Sequence, residues 1–344
     1  MTIRLTIGFS NNPRIRPLRD GTVKPQNIAL DFVINHPPEL FYRNLKYNEF
    51  DISEMSISSM LVAKERSDGT KWDWSALPVF LSKALRWLNL YVNTATGIEH
   101  PRDLKGKRVG VPDYTMTAAL WMRAMLKELY NIESRDIIWF NGRKKELSHG
   151  GALGLDQDPP QDIVLNWLND DQTLDVMLDR GDLDAAYFLP TYSHEERSFA
   201  SIDRYGGTPL TDNPNIRKLF EDGGKQVVIE YYRKTGVIPA NHLVIVQNKL
   251  LQEYPWVALE LYKAFQQSKA VAYERARQLQ SAYLLFEGKD FQEQISIFGE
   301  DPYPLGIQAN RKMLEILFRS SLEQGLIRKP VQIEEVFYPS TLDT

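Results

Sequence analysis

The sequence contains no cysteine, and this absence excludes several kinds of site at once. Without thiols there can be no disulfide, no Cys-ligated zinc, no iron–sulfur cluster and no thiol nucleophile. Long apolar runs are also missing, since no stretch approaches the roughly 20 apolar residues of a transmembrane helix. The N-terminal segment alternates like a strand and lacks the apolar core of a secretory signal. We therefore expect a cytoplasmic protein with no membrane partner.

Excess positive charge is absent as well. The 41 Lys and Arg residues stand against 45 Asp and Glu residues, a formal net charge of −4, so no field attracts a phosphate backbone. Nucleic acid is therefore not an expected partner. The sequence also lacks GxxxxGK[ST], GxGxxG and GxSxG, which leaves P-loop, dinucleotide-binding and α/β-hydrolase interpretations without support.

Metal-ligand spacings are missing among the five histidines, none of which forms HExxH or HxH with another. A His-rich metal site is therefore not expected. An organic cofactor is not expected either. A divalent ion held by Glu54 or Asp113 stays open, since spacing rules do not detect such carboxylate sites.

The length and the order of apolar runs predict the fold. A chain of 344 residues is longer than the about 100 to 200 residues of one ordinary core. Short apolar runs alternate with helical segments, first near the N-terminus and again from residue 107, which is typical of parallel α/β sheets. Predicted strands at 88–93 and 242–247 lie on either side of the second α/β segment, which begins at residue 107. We predict an α/β, bilobal clamshell in which two crossing strands join lobe one (1–93 plus 240–344) to lobe two (94–239).

A ligand of this fold would lie between the lobes, at strand ends and helix N-termini. In lobe one, the hydroxyls of Ser56, Ser58 and Ser59 follow a predicted strand and could bind a carboxylate, although a plain helix cap explains one of them equally well. Arg14 and Arg16 follow the first strand, where a guanidinium can hold a carboxylate with two bonds. Solvated loop arginines are the alternative.

Lobe two has a matching strand-to-helix turn, whose candidate ligand contacts are Tyr114, Thr115, Met116 and Thr117. Its backbone N–H groups and threonine hydroxyls predict a second anion cradle. Tyr114 and Tyr187 could stack on a planar ring, whereas Trp121 has helical spacing and is favoured as core. The Gly-, Asp- and Pro-rich segment 143–161 is interpreted as a surface loop or a lid.

Asn241 and His242 lie where the chain re-enters lobe one, and we expect both to face the ligand. The alternative for His242 is a hinge histidine that bonds only to backbone. Glu54 ends a predicted strand and is either a buried acid or base or a turn cap in solvent.

Several segments carry a shared pattern: Phe50-Asp-Ile-Ser-Glu-Met-Ser-Ile-Ser-Ser59, Asp103-Leu-Lys-Gly-Lys-Arg-Val-Gly-Val-Pro112, Met116-Thr-Ala-Ala-Leu-Trp-Met-Arg123, Gly236-Val-Ile-Pro-Ala-Asn-His242 and Pro304-Leu-Gly-Ile-Gln-Ala-Asn-Arg-Lys-Met-Leu-Glu315. Together they resemble the 4,5-dihydroxyphthalate decarboxylase family, which is similar to the type II periplasmic solute-binding proteins, and the resemblance implies the type II periplasmic-binding-protein fold for the predicted clamshell. The resemblance runs in order over nearly the whole chain. It implies a lyase of aromatic catabolism that removes CO₂, without oxidation, from a hydroxylated aromatic carboxylate such as 4,5-dihydroxyphthalate.

That chemistry assigns roles to the candidates. The ring carbon bearing the carboxylate must be protonated, and we expect His242 to handle this proton, with Glu54 as the second candidate. Arg14, Arg16 and the two turns would hold carboxylates. The family pattern also implies an arginine after the strand ending at Phe188, where this chain has Leu189-Pro-Thr-Tyr192.

Two other functions compete with the decarboxylase. A non-catalytic binding protein of the ABC solute-receptor type would have the same fold, and so would an enzyme that performs a different reaction on a cyclic metabolite. All three take a small molecule as partner. The helical C-terminal third could cover the chain's own lobe or a second copy, which leaves a homo-oligomer open.

Overall fold

The structure, a computed structural model, describes residues 2–83, 89–188, 206–220, 222–283 and 289–344. The chain divides into two compact units: unit 1 comprises Met1–Lys83, Ala240–Glu315 and Val331–Thr344, and unit 2 comprises Ala84–Pro239 and Ile316–Pro330. The predicted boundary at 93 lies about ten residues too far along the chain, because the strand at 90–93 hydrogen-bonds to strands of unit 2. Residues 316–330 likewise belong to unit 2, not to lobe one as predicted.

Unit 1 contains a five-stranded sheet in the order β2-β1-β3-β11-β4. Its strands are β1 (Ile3–Phe9), β2 (Ile28–Ile34), β3 (Ile52–Ser56), β4 (Trp74–Ser82) and β11 (His242–Gln247). The first three are parallel, and β11 is antiparallel to both β3 and β4. The carboxyl ends of β1, β3 and β4 therefore meet the amino end of β11 at one edge of the sheet.

The helices of unit 1 cover both faces of this sheet. They are α1 (Arg16–Arg19), α2 (Pro37–Tyr47), α3 (Ile57–Arg66), α8 (Asn248–Glu253), α9 (Val257–Tyr283), α10 (Lys289–Phe298), α11 (Ile307–Glu323) and α12 (Ile333–Val336), with α11 continuing past the unit boundary. Alternate apolar residues of the strands, such as Ile7 and Val244, join Phe265 of α9 in one buried cluster. Each such fully buried side chain contributes about 1.5 to 3 kcal/mol, so the strands are fixed from the α9 side.

Unit 2 contains a six-stranded sheet in the order β10-β5-β9-β6-β7-β8. Its strands are β5 (Leu90–Asn93), β6 (Arg108–Val111), β7 (Ile138–Asn141), β8 (Leu165–Trp167), β9 (Ala185–Tyr187) and β10 (Ile216–Lys218), and its helices are α4 (Thr117–Tyr130), α5 (His149–Ala152), α6 (Leu174–Arg180) and α7 (Lys225–Thr235). The four strands from β9 to β8 are parallel, and β5 is antiparallel to β9. The carboxyl ends of β6, β7 and β9 therefore share an edge.

The segment 143–161 is a surface loop only in part: residues 144–146 are exposed, as its composition predicts, but other residues of the segment are buried. Arg143, Ser148 and His149 are buried, and α5 lies within it. A Cβ at Gly151 would come within 1.9 Å of the carbonyl oxygen of Lys145, so only glycine fits this close approach. Leu189-Pro-Thr-Tyr192, which stands where the family pattern implies an arginine, lies outside the described residues. Among the described residues, no helix combines the length and apolar character that crossing a membrane requires.

Candidate functional site

The carboxyl edge of the unit 1 sheet brings His242 and Glu54 together. In the antiparallel pairing of β11 with β3, Val244 lies opposite Glu54 and His242 lies opposite Ser56, so both side chains project on one face as diagonal neighbours. His242 Nδ1 lies 2.6 Å from Glu54 Oε1, which is a short, charge-assisted hydrogen bond when the carboxyl is ionised. Both residues were candidates from sequence, but their contact was not predicted.

The carboxylate of Glu54 is buried and fully engaged. Its Oε2 accepts from the backbone N–H of Ser10 at 3.0 Å and from the Ser10 hydroxyl at 2.6 Å. Burial alone would raise the pKa of the Glu54 carboxyl, but the hydrogen bond and charge of His242, together with the two bonds from Ser10, outweigh burial and hold the pKa below its usual value. Glu54 therefore stays ionised at neutral pH and holds His242.

The imidazole of His242 is held in place but remains reachable. Its ring packs edge-on against Phe41, with 4.8 Å between the ring centroids, and 18% of its side chain is exposed. Because Nδ1 faces Glu54, Nε2 is the nitrogen left to act on a ligand, and it has no hydrogen-bond partner among the described residues. This is the arrangement in which a carboxylate fixes the tautomer of a proton-transferring histidine.

Arg14 lies at the same edge and is anchored to the main chain. Its Nε and Nη2 both donate to the carbonyl of Leu81, to which the Asn12 side chain also donates, and its guanidinium stacks 3.8 Å above the ring of Tyr303. The Leu81 carbonyl lies in a bulge of the edge strand β4, in which β4 advances from Leu77 to Ser82 while β11 advances only from Val244 to His242. Nη1 of Arg14 retains its donors for a ligand.

The other predicted contacts of unit 1 have different surroundings. Arg16 is exposed in α1, as in the solvated-arginine alternative. Ser56 is the N-cap of α3 and accepts from the backbone N–H of Ser59, which is the capping role foreseen for one of the three serines. Ser58 and Ser59 are fully buried, and the hydroxyl of Ser59 has no hydrogen-bond partner among the described residues. The Asn241 carbonyl accepts from the backbone N–H of Ile57, joining β11 to the start of α3.

A buried lysine at this edge was not predicted. Lys83 follows β4 directly, and its Nζ donates to Asn310 Oδ1 at 3.0 Å. Asn310 in turn donates to the carbonyls of Pro304 and Gly306, so part of the Pro304–Glu315 motif serves to hold this lysine. Burial lowers the pKa of Lys83 to about 8, which leaves its charge easily changed near neutral pH.

The turn after β6 in unit 2 does not offer the predicted anion cradle, because the chain's own Asp113 already fills it. Asp113 Oδ1 accepts from the N–H and hydroxyl of Thr115, and Oδ2 accepts from the Ser148 hydroxyl and the N–H of His149. Burial would raise the pKa of Asp113, but the charges of His149 and Arg143 and the hydroxyl bonds of Thr115 and Ser148 hold the pKa low.

The remaining predicted contacts of this turn are core groups. Tyr114 is fully buried, its N–H donates to Asn141, and its hydroxyl bonds Ser134 and the Gln324 carbonyl. Met116 is the N-cap of α4 without a side-chain cap bond, and Thr117 is the first helical residue. Tyr187 is buried within β9 and Trp121 is core, as the spacing of Trp121 favoured.

Sequence reasoning missed the groups that surround Asp113. Arg143, two residues after β7, places Nη1 3.8 Å from Asp113 Oδ2 and lies beside His149. Residues at the carboxyl ends of parallel strands are site candidates, and this rule pointed to the turn after β6 that contains Asp113. The same rule would have pointed to Arg143 if the four-residue strand β7 had been predicted. Among the described residues, no group of three acidic, histidine or cysteine side chains is suited to hold a metal ion. The carboxylates of Glu54 and Asp113, which were left open for a divalent ion, are both engaged by N–H and O–H donors.

Comparison with solved structures defines the class of protein. The chain aligns over its full length with the periplasmic aliphatic sulphonate binding protein SsuA from Escherichia coli, with a TM-score of 0.50 and 11% identity. This likeness confirms the predicted fold class, the type II periplasmic-binding-protein fold, and at this identity it shows the fold alone. No protein-family model matches the chain.

Curated relatives carry the comparison further. The chain is 30% identical over 344 residues to a 4,5-dihydroxyphthalate decarboxylase of Comamonas testosteroni, covering 99% of this chain and 98% of that protein. It is 37% identical over 183 residues to a 4,5-dihydroxyphthalate decarboxylase of Pseudomonas putida, covering 53% of this chain and 69% of that protein. The chain therefore belongs to the 4,5-dihydroxyphthalate decarboxylase family, as the sequence motifs indicated.

Proposed function

We propose that this protein is a non-oxidative carboxy-lyase that removes CO₂ from a hydroxylated aromatic carboxylate, with 4,5-dihydroxyphthalate as the first candidate substrate. The observation that supports catalysis most is the pair formed by Glu54 and His242, because a pure receptor has no need of an oriented, ionisable imidazole. The curated relatives support the substrate class by their names.

The reaction needs one proton at one ring carbon. In 4,5-dihydroxyphthalate each carboxylate is para to a hydroxyl, whose oxygen donates electrons into the ring when it is deprotonated. His242, protonated on Nε2, gives a proton to the carbon that bears the carboxylate, and a C–H bond forms there. The C–C bond to the carboxylate then breaks, its electron pair restores the aromatic ring, and CO₂ leaves. The products are CO₂ and a dihydroxybenzoate.

Glu54 acts through His242 and not on the substrate. Its ionised carboxylate stabilises the imidazolium before the transfer and keeps Nδ1 protonated after it, so that Nε2 alone exchanges the proton. We therefore revise the sequence-based interpretation of Glu54 from a second acid or base to a positioning residue. Its burial and its two bonds from Ser10 suit this fixed role.

Arg14 is the group that we propose for binding a substrate carboxylate. The Leu81 carbonyl and the Tyr303 ring fix its guanidinium, so little side-chain entropy is lost when Nη1 meets an anion. Lys83 adds a cation to the same sheet edge. Both cations favour a substrate with more than one negative group.

The test is direct. Purified protein is incubated with 4,5-dihydroxyphthalate and with a panel of hydroxybenzoates and phthalates, and CO₂ release is followed. We expect turnover of at least one dihydroxylated carboxylate and, in D₂O, one deuterium at the carbon that lost CO₂. His242→Ala should abolish turnover, whereas His100→Gln, a control in an exposed turn of unit 2, should not.

Two outcomes would count against the proposal. Thermal stabilisation by these compounds without turnover of any of them would favour the binding-protein alternative. Full turnover by His242→Ala would refute the proton-transfer role even if the protein is a decarboxylase.

A further inference from the structure

Unit 2 contains a second cavity that the proposed reaction does not use. It has a volume of about 620 Å³ and is formed by α4, α7, the end of α11 and the turn at 133–135. Among its lining residues are Arg123, Ala124, Lys127, Tyr231, Ser320 and Glu323. This volume lies within the range of about 300 to 1,000 Å³ that small-molecule sites occupy.

The wall of this cavity contains a buried cation that forms no ion pair among the described residues, and the charge of Asp113 acts on it only from beyond ion-pair distance. Arg123 is only 2% exposed, and its guanidinium stacks 3.9 Å above the ring of Tyr114. Its Nε donates to Gln324 Oε1 and its Nη2 donates to the Tyr114 carbonyl, both of which are neutral acceptors. Nη1 is buried and has no hydrogen-bond partner among the described residues.

The acidic residues that line the cavity do not neutralise Arg123, because they already pair with other cations. Glu323 pairs with Lys127 at 3.1 Å and with Arg319 at 4.0 Å, and Glu133 pairs with Arg135. Arg143, the other large buried guanidinium of unit 2, has the carboxylate of Asp113 beside it. Arg123 is therefore a buried charge with an unsatisfied donor, an arrangement that is costly unless an anion completes it.

The donors and the size of the cavity define the ligand. The buried Nη1 has two donors without a partner, which suits a single carboxylate. The cations at the rim already have partners, so a second negative group on the ligand would gain little. The volume is far larger than an inorganic anion needs, and Ala124, Ile316 and Tyr231 add apolar surface. We propose that this cavity binds a small organic monocarboxylate through Arg123.

The probe is benzoate, with benzamide as its uncharged isostere. Binding is measured by calorimetry on the full chain, and hydrogen exchange locates it. Ser320→Phe fills the cavity without touching the bonds of Arg123, and Arg123→Gln removes the charge. Ser296→Phe makes the same substitution at an exposed position of α10 in unit 1 and serves as the matched control. Melting temperatures identify any variant that fails to fold.

The wild-type protein and Ser296→Phe should bind benzoate, with slower exchange in residues 121–128 and 316–324. Ser320→Phe and Arg123→Gln should each weaken this binding by about tenfold or more, the usual scale for a hydrogen bond to a charged group. The proposal is overturned if a folded Ser320→Phe protein binds as the wild type does, if benzamide binds equally well, or if neither segment is protected. Neither calorimetry nor hydrogen exchange depends on catalytic turnover, so the result of this test is independent of the proposed function.

Discussion

Replacing Glu54 by Gln isolates the contribution of one negative charge to the proposed catalytic histidine. The two side chains have nearly the same shape, so the fold should persist. The amide oxygen can still accept from Ser10, but the amide NH₂ then faces His242 Nδ1 and donates to it. The imidazole would be neutral, with its proton fixed on Nε2, and no carboxylate would stabilise the imidazolium that delivers a proton.

The size of the effect follows from the bond that is lost. A hydrogen bond to a charged group contributes about 1.5 to 3 kcal/mol, which corresponds to a loss of roughly 10- to 100-fold in rate. Because Glu54 does not touch the substrate, the loss should appear in kcat while KM changes little. Glu54→Asp keeps the charge but moves it by about one bond length, so it should retain more activity than Glu54→Gln.

The assay is steady-state CO₂ release by the wild type and both variants, with far-UV circular dichroism to check folding. The proposed role of Glu54 fails if folded Glu54→Gln keeps kcat within about threefold of the wild type. It also fails if the loss lies wholly in KM, because that pattern would place Glu54 in contact with the substrate.

Three further predictions concern the other charged groups. Arg14→Gln should raise KM by about tenfold, which is the scale of one charge-assisted hydrogen bond. The control Arg16→Gln, at an exposed position of α1, should leave KM unchanged. Equal effects of the two substitutions on KM would contradict the proposed contact between Arg14 and a substrate carboxylate. Lys83→Met should stabilise the protein at pH 7. Burial lowers the pKa of Lys83 from 10.5 to about 8, so removing this buried charge gains about 3 kcal/mol, and losing the bond to Asn310 costs about 1 kcal/mol of that gain. Since the pKa of Lys83 is lower in the folded than in the unfolded protein, this gain should shrink as the pH rises from about 8 through 10.5. Denaturant titrations at several pH values measure the gain, and a gain that does not change with pH would refute burial of the charge as its cause. Asp113→Asn should destabilise the protein by about 3 to 5 kcal/mol because it removes the buried negative charge that lies beside the Arg143 guanidinium. Since the pKa of Asp113 lies below the usual 3.8, the difference in melting temperature between wild type and variant should stay constant between pH 7 and 5 and narrow below pH 3.8.

The architecture was largely predictable because long, regular apolar runs mark buried strands. The predicted strand at 242–247 is β11, and the short apolar runs near the N-terminus include β1 and β2. The strands β7, β8 and β10 were missed, since three or four residues are too few to show a period. The boundary between the two lobes was misplaced at residue 93 because the sheet that a strand joins depends on partner strands far away in the sequence.

The site was predictable only in part. Strand ends indicated His242, Glu54 and Arg14, but not which of their atoms meet, because contacts across neighbouring strands depend on register. The turn at 113–117 was interpreted as an open cradle since its residue types suit one. The Asp113 carboxylate of the same turn accepts from Thr115 and also from Ser148 and His149, so these donors are used within the protein. No local sequence pattern distinguishes such an internal acceptor from a ligand.

The bulge in β4 has a consequence for how this protein can diverge. The position of the Arg14 guanidinium is dictated by a main-chain oxygen, and substitutions along β4 would leave that oxygen where it is. An insertion or deletion of one residue between Leu77 and Ser82 would instead displace it. Relatives that differ in length here should therefore differ in which acids they accept, even if every polar side chain around the histidine is the same.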